Sequence, residues 1–465
     1  MASSSSAILK HPRWGSCELV RIEGTDWIVR VIATGRFLRV PSERRSEFDT
    51  VGAPLPPPIP QPNSPAGNFQ RTEERNARCI IESLRIGLPS ADGSTRQLAV
   101  GYNKTERFIR EFLEEVSIGG GAALLLKGQY GQGKTFALTV LEEIAREEGF
   151  VTVRTEVDAT ENRLNKPHHV YRDLVRNLKL PNATETGARA IARKTADLLA
   201  TVSAKSPYAR MQWLEQQLEC FPLSWLLSDT QIHNKPELVG LLECDPNYPA
   251  RIARAQHRLH PPRGPSQWPA FNAGTQGDFA SFVLCGIGRL AKLLEYKGLI
   301  VLMDEMEKWT ELNWAEQSRA GNLLGGLIWG ATAEVGRRDF DDHPEVLWHS
   351  GRCGGYPFTT SPRCHMGVAV AMTPRGDDGP EWLWSQYGTL RLEDVPALTT
   401  QNLKRYCSLV APTYAQAYAI GAPADAVVQA IASRAMGIWK RDGALTTRAG
   451  VQAVIQAFDG WRHES

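Results

Sequence analysis

The stretch GQYGQGKT, residues 128–135, carries three glycines, a lysine and a threonine at a spacing that suits a polyphosphate. Gly128, Gly131 and Gly133 allow backbone conformations that a side chain would deny. That freedom lets the N–H groups from Gly131 to Thr135 converge on one anion, at the positive end of the helix that follows. In this reading Gly128, Gln129, Tyr130, Gly131, Gln132, Gly133 and Phe136 wrap the ligand. Lys134 bridges its β- and γ-phosphates, and the Thr135 hydroxyl ligates Mg²⁺. The competing reading is a glycine-bearing loop with no ligand. Its surroundings weigh against it: AALLLK, 122–127, reads as a buried strand, and TFALTVLEEIAREEG as an amphipathic helix ending at Gly149.

A phosphate loop calls for carboxylates on a neighbouring strand. GLIVLMDEMEKW, 298–309, is a buried-strand run ending in paired acids. Asp304 there would orient the water shell of Mg²⁺, and Glu305 would polarise the attacking water as general base. By itself such a run is common, and ends as readily in a solvated turn. GVAVAMTP, 367–374, is a further apolar strand closing on Thr373. ATPases of the AAA+ kind carry a polar residue there that senses the γ-phosphate; a plain strand end before Pro374 is the alternative. TTRAGVQAVIQAFD places Arg448 at a helix start, as a lid arginine reaching the phosphates or as a surface arginine. The cofactors expected are ATP and Mg²⁺.

The elements that would position these residues fall in four stretches. Residues 1–50 read as a small SH3- or Tudor-like β-barrel, with strands at Cys17 to Ile22, Asp26 to Ile32 and Arg36 to Val40. Val29 and Val31 share a face with Trp27. A slight basic excess here fits a DNA-facing patch less well than an ordinary solvated surface, and Trp14 and Trp27 fit a core better than base-stacking platforms. Residues 51–70 form a proline-rich linker, in which seven prolines between 52 and 68 argue against helix. Residues 71–395 read as an α/β P-loop core with a parallel sheet. Its first helix is expected to start at Thr72 and to gather Ile80, Ile81 and Leu84 on one face. About 170 positions separate Lys134 from Asp304, so a helical insertion is expected at about 160–290. TLRLEDV reads as an edge strand, and 396–465 as a helical lid.

Composition sets outer limits. The 465 residues are 42% hydrophobic and 22% charged, with a net charge of +2, the balance of a soluble globular protein that neither demands nor excludes a nucleic-acid partner. No apolar run approaches the ~18 residues of a membrane span. The N-terminus lacks an apolar leader, and the eight cysteines form no CxxC pair. A cytoplasmic protein with reduced thiols is the expectation. His343, His349, Cys353, Cys364 and His365 match no paired-ligand zinc spacing. Arg337 and Arg338 fit an arginine finger offered to a neighbour, or a surface ion pair with Asp339. The pair His168 and His169 reads as solvated rather than metal-binding.

With those residues in view, the chain resembles the ATP-binding proteins of BREX-type antiphage defence systems, of the BrxD type. RCIIESLRIGLPSADGSTRQLAVG is similar to the family's lead-in. GQYGQGKTFALTVLEEIAREEGFVTVRTEVDATENRLNKPHHVYRDLV is similar to its loop, helix and second strand, through Asp158, Lys166, Pro167 and Tyr171. LIVLMDEMEKW, VAVAMTP and TTRAGVQAVIQAFD resemble its acidic strand, its Thr-Pro strand and its arginine-bearing helix. The likeness covers residues 72–465, densest to about 180. The N-terminal barrel, the linker and 341–365 are not part of it. It implies an AAA+ ATPase in a multi-protein defence complex, with a helicase or methyltransferase as partner.

The function expected is Mg-ATP hydrolysis coupled to remodelling of DNA or of a protein complex. Double-stranded DNA, other defence-system proteins and further copies of the chain are the partners expected, with no membrane. Two rivals stand beside it: a slow nucleotide-gated switch timed by hydrolysis, and an assembly scaffold that ATP only stabilises.

Overall fold

The computed structural model describes residues 8–11, 15–23, 26–31, 37–40, 49–51, 65–89, 95–158, 160, 163–204, 206–245, 276–332, 364–374, 389–441 and 445–464. The chain divides into two compact units, Met1–Gln70 and Arg71–Ser465. The first holds strands β1 (Ile8–His11), β2 (Gly15–Glu23), β3 (Asp26–Val31), β4 (Phe37–Val40) and β5 (Asp49–Val51). They pair antiparallel in the order β4-β3-β2-β1-β5. The period of two is visible in the core, where Cys17, Val29, Val31 and Val40 are buried. A register shift between Leu19 and Arg21 marks a bulge, the device that bends a small sheet. Trp14 lies outside the described residues.

Helix α1 spans Pro65–Arg85, so it begins inside the stretch expected as linker and seven residues before Thr72. Two expectations are corrected by this. Pro65 sits in the first helical turn, where the missing N–H has no partner to lose and the fixed φ already suits a helix. Thr72 is therefore a helix-interior residue and not a cap. The apolar face is as expected, with Ile80, Ile81 and Leu84 buried.

The second unit is built on strands β6 (Gly121–Lys127), β7 (Val151–Glu156), β8 (Leu299–Asp304), β9 (Met366–Met372) and β10 (Leu390–Asp394). They form a parallel sheet of order β10-β6-β9-β8-β7, with β10 at an edge. Lys127 lies opposite Met372, and Met303 opposite Val370, so the loop after β6, the acids after β8 and Thr373 after β9 emerge on one edge. In an open α/β sheet, the carboxyl ends of the strands are where ligands bind.

Alternation along the strands divides the sheet between two layers. Leu124, Leu126, Ile300, Leu302, Ala369 and Ala371 join Phe112 of α2 (Asn103–Gly119) and Leu138 of α3 (Lys134–Glu147) in one core. Leu125, Val301, Met303 and Val370 face the other way. They share a second core with α4 (Pro167–Arg176), α5 (Gly187–Thr201), α6 (Pro207–Leu218), α7 (Phe221–Leu227), α8 (Pro236–Leu242), α9 (Gln276–Leu293) and α10 (Trp314–Thr332). The helices between the glycine loop and the acids thus bury their apolar stripes, with Leu174, Leu214 and Phe282 fully enclosed, in the same core as the sheet.

A third core joins the two ends of this unit. Ile81 and Leu84 of α1, and Leu98 of a 3-10 turn at Thr95–Leu98, pack with α11 (Thr400–Ala417), α12 (Asp425–Arg441) and α13 (Thr447–Glu464) through Leu403, Val454 and Phe458. Arg85 donates to the Tyr418 hydroxyl at 2.8 Å and pairs with Asp459, which also accepts from the Tyr414 hydroxyl at 2.7 Å. Among the described residues, no helix is long and apolar enough to cross a membrane.

Candidate functional site

Between β6 and α3 the chain turns through Gly131 and Gly133, whose φ values are +73° and +108°. Any side chain there would be strained, which is the reason for the glycines. Gly128 donates its N–H to the Met372 carbonyl at 3.3 Å, tying the loop to β9. The Gln132 side chain braces the turn: its Oε1 accepts from Gln129 N–H at 2.6 Å and its Nε2 donates to the Val395 carbonyl at 2.7 Å. The helical ladder of α3 starts with Ala137 N–H donating to Gly133 carbonyl. The N–H groups of Lys134, Thr135 and Phe136 precede that ladder, at the positive end of the helix. Phe136 packs edge-on against the Tyr102 ring, 5.2 Å between centroids.

Beneath the loop lies a polar cluster. The Lys134 ammonium is buried and donates to Thr373 Oγ1 at 2.7 Å. The Thr373 hydroxyl in turn donates to Glu307 Oε1 at 2.5 Å, and Thr373 N–H reaches Glu307 Oε2 at 3.2 Å. Lys134 Nζ stands 3.6 Å from the same carboxylate. Burial works against a charge on Glu307, but the Thr373 hydroxyl and then Lys134 hold its carboxyl below the usual glutamate range.

Asp304 is also buried; its Oδ1 accepts from Glu305 N–H at 3.0 Å and its Oδ2 lies 3.5 Å from Arg154 Nη2. Arg154 is itself anchored on Thr139 Oγ1 at 2.9 Å. Glu305 stands just past the strand with φ +60°, ψ +35°, a left-handed conformation that costs a non-glycine residue about 1–3 kcal/mol. Partial burial, then the charges of Glu307 and Asp304, push its carboxyl up.

Arg448, at the start of α13, meets the loop directly. Its N–H donates to the Gly131 carbonyl at 2.9 Å and its Nη1 to the Tyr130 hydroxyl at 3.0 Å. The guanidinium lies 5.3 Å from the centre of the exposed Tyr130 ring, within cation–π range. The residue read from sequence as either a lid arginine or a surface arginine thus lies against the loop and its tyrosine.

Above the loop, Gly131, Gly133, Lys134, Thr135, Phe136, Glu305 and Arg448 share one cleft with an apolar wall of Leu84, Leu98, Val100, Tyr102, Leu398, Tyr406 and Val451. Thr95 and Arg96 donate their N–H groups to the Glu143 carboxylate at 3.1 and 2.9 Å, which fixes the 3-10 turn bearing Leu98 against α3. None of this wall was found from the sequence. Its members come from separate elements at both ends of the unit, and each reads as an ordinary core residue. Arg154 and Glu307 were missed too, although Glu307 stands only two residues past Glu305.

The donor set fits a triphosphate with Mg²⁺. The left-handed glycines open the turn to an anion, and Thr135 with Asp304 would offer the hard oxygens that Mg²⁺ takes from protein when phosphates complete its shell. Among the described residues no group of three or more His, Cys, Asp or Glu could hold a metal by itself. His343, His349, Cys353, Arg337 and Arg338 lie outside the described residues. Cys364 is buried, its thiol donating to the Gly330 carbonyl at 2.9 Å. His168 is hydrogen-bonded to Gln276 Oε1 at 2.8 Å.

A parallel sheet, a glycine turn leading into a helix and a buried lysine at the sheet's carboxyl edge are the parts of a P-loop-like core. The family model of the BREX system ATP-binding protein BrxC/D matches residues 72–198, and over that stretch the chain is BrxC/D-like. The match runs from within α1 to within α5 and contains the glycine loop, while Asp304, Glu305, Thr373 and Arg448 lie beyond it. No curated protein matches the chain.

Proposed function

We propose that the chain binds ATP with Mg²⁺ and hydrolyses it, as an AAA+-like member of a cytoplasmic BREX-type antiphage defence system. The observation that carries this reading is the meeting of Lys134, Thr373, Asp304 and Glu305 at one sheet edge, where Lys134 and Glu305 also line the cleft that the glycine loop borders. Lys134 neutralises charge on the β- and γ-phosphates, and the α3 N–H groups hold the anion from the other side. Thr135 and Asp304 hold Mg²⁺, which supplies further charge neutralisation when bound. Glu305 takes a proton from the attacking water, and its raised affinity for protons suits that task. The hydrogen bond from Lys134 to the Thr373 hydroxyl supports a role for Thr373 in sensing the γ-phosphate.

In this reading α11–α13 are the lid and the first unit's sheet is an SH3- or Tudor-like barrel. The partners of the chain are double-stranded DNA, other defence-system proteins such as a helicase or methyltransferase, and further copies of the chain. A second reading, a slow nucleotide-gated switch, draws support from the hydrogen bond between Arg448 and Gly131, which couples the lid helix to the loop.

Steady-state ATP hydrolysis, with and without long duplex DNA, separates the two. A rate raised several-fold by DNA marks a remodeller, and a slow rate that DNA leaves unmoved marks the switch. Glu305→Gln should lower turnover by about 100-fold or more while keeping binding, the usual weight of a general base. Equal turnover in that variant removes Glu305 from the role.

A further inference from the structure

We infer that Glu307 is a specificity residue that sets the balance between ATP and ADP by competing with the terminal phosphate for Thr373 and Lys134. The inference rests on the nucleotide reading of the site and adds a role to a residue that reading does not use. A threonine hydroxyl has a single proton to donate. In this structure that proton goes to Glu307 Oε1 at 2.5 Å, while the oxygen accepts from Lys134 at 2.7 Å. Glu307 Oε2 takes the Thr373 N–H at 3.2 Å, so both carboxylate oxygens are held. Lys134 Nζ, 3.6 Å away, adds a cation. An anion held by a lysine, a hydroxyl and a backbone N–H is held as a phosphate oxygen would be.

A γ-phosphate that claims the Thr373 proton must therefore take it from Glu307. It must also share Lys134 with a carboxylate whose negative charge is buried, 6% exposed, and so poorly screened. A diphosphate meets only part of this cost. Its terminal β-phosphate needs Lys134 but not Thr373, and the bonds between Thr373 and Glu307 can persist. Glu307 thus lowers affinity for the triphosphate more than for the diphosphate.

The test is calorimetric titration of the full chain with ADP and with a non-hydrolysable ATP analogue, both with Mg²⁺, for wild type and Glu307→Gln. The amide is isosteric and keeps an oxygen for the hydroxyl, but removes the charge. Affinity for the triphosphate analogue should rise about ten-fold, the equivalent of one charge-assisted hydrogen bond, and affinity for ADP by less than about half of that on a logarithmic scale. Glu307→Ala, with thermal melting to confirm folding, should shift the ratio in the same direction. An unchanged or reduced ratio of triphosphate to diphosphate affinity in both variants overturns the inference. Failure of the wild type to bind either nucleotide would instead overturn the nucleotide reading beneath it.

Discussion

At Glu305 backbone strain and electrostatics act on one residue. A left-handed turn directly after β8 aims the chain out of the sheet, and Asp304 accepts the Glu305 N–H that this turn presents. Burial and the nearby acids raise the affinity of its carboxyl for protons. A general base works only when ionised, so activity is present above this raised pKa and is lost as pH falls through it. The acid limb of the rate–pH profile should therefore lie above the ordinary glutamate value of about 4.3. A profile measured on the wild type, against the flat residual rate of Glu305→Gln, checks this; a limb at or below the ordinary value contradicts it. Lys134, Asp304 and Glu305 were legible in the sequence because loop chemistry is local: glycines, lysine and threonine at fixed spacing, and acids closing an apolar run. Glu307 and Arg154 were not, since their roles depend on which strands lie side by side. Only the order of β7, β8 and β9 brings Arg154 to Asp304 and Glu307 to Thr373.

Among the elements, α1 shows most clearly what the sequence conveyed and what it withheld. Its apolar face was evident from Ile80, Ile81 and Leu84. Its start was not, because a proline at the first turn of a helix resembles a proline in a linker. Nothing local shows that this helix packs with the last three helices, more than three hundred positions away. The polar knot of Arg85, Asp459 and Tyr414 is one bond of that packing. Burial works against the charge on Asp459, but Arg85 and Tyr414 hold its carboxyl below the usual range. Such a group contributes stability above its unfolded pKa, and the contribution is lost as pH falls through the lower folded value. Asp459→Asn should cost about 1 kcal/mol at neutral pH, after allowing for the partial exposure of Arg85. Melting curves should show the gap from wild type closing as the solution is acidified. A gap independent of pH would mean that the carboxylate charge does not contribute.

For the whole molecule, the apolar cleft wall is the feature that links fold to ligand. It draws Leu84 and Leu98 from before the loop and Leu398, Tyr406 and Val451 from the far end of the chain, and it meets the glycine loop where α13 touches Gly131. A ligand seated there would contact the sheet and the helical core together, which is how binding at one edge could move the other. The alternation of strand-like and helical runs made the α/β class and its parallel sheet legible. The closing of the second unit's two ends around one cleft depends on tertiary packing alone. The central claim is that this cleft holds a nucleotide through Lys134. Calorimetric titration with Mg-ATP, comparing wild type with a folded Lys134→Ala variant, tests it most directly. The account predicts a saturable heat for the wild type and its loss in the variant. Equal affinity in both, or no binding by the wild type, would contradict it.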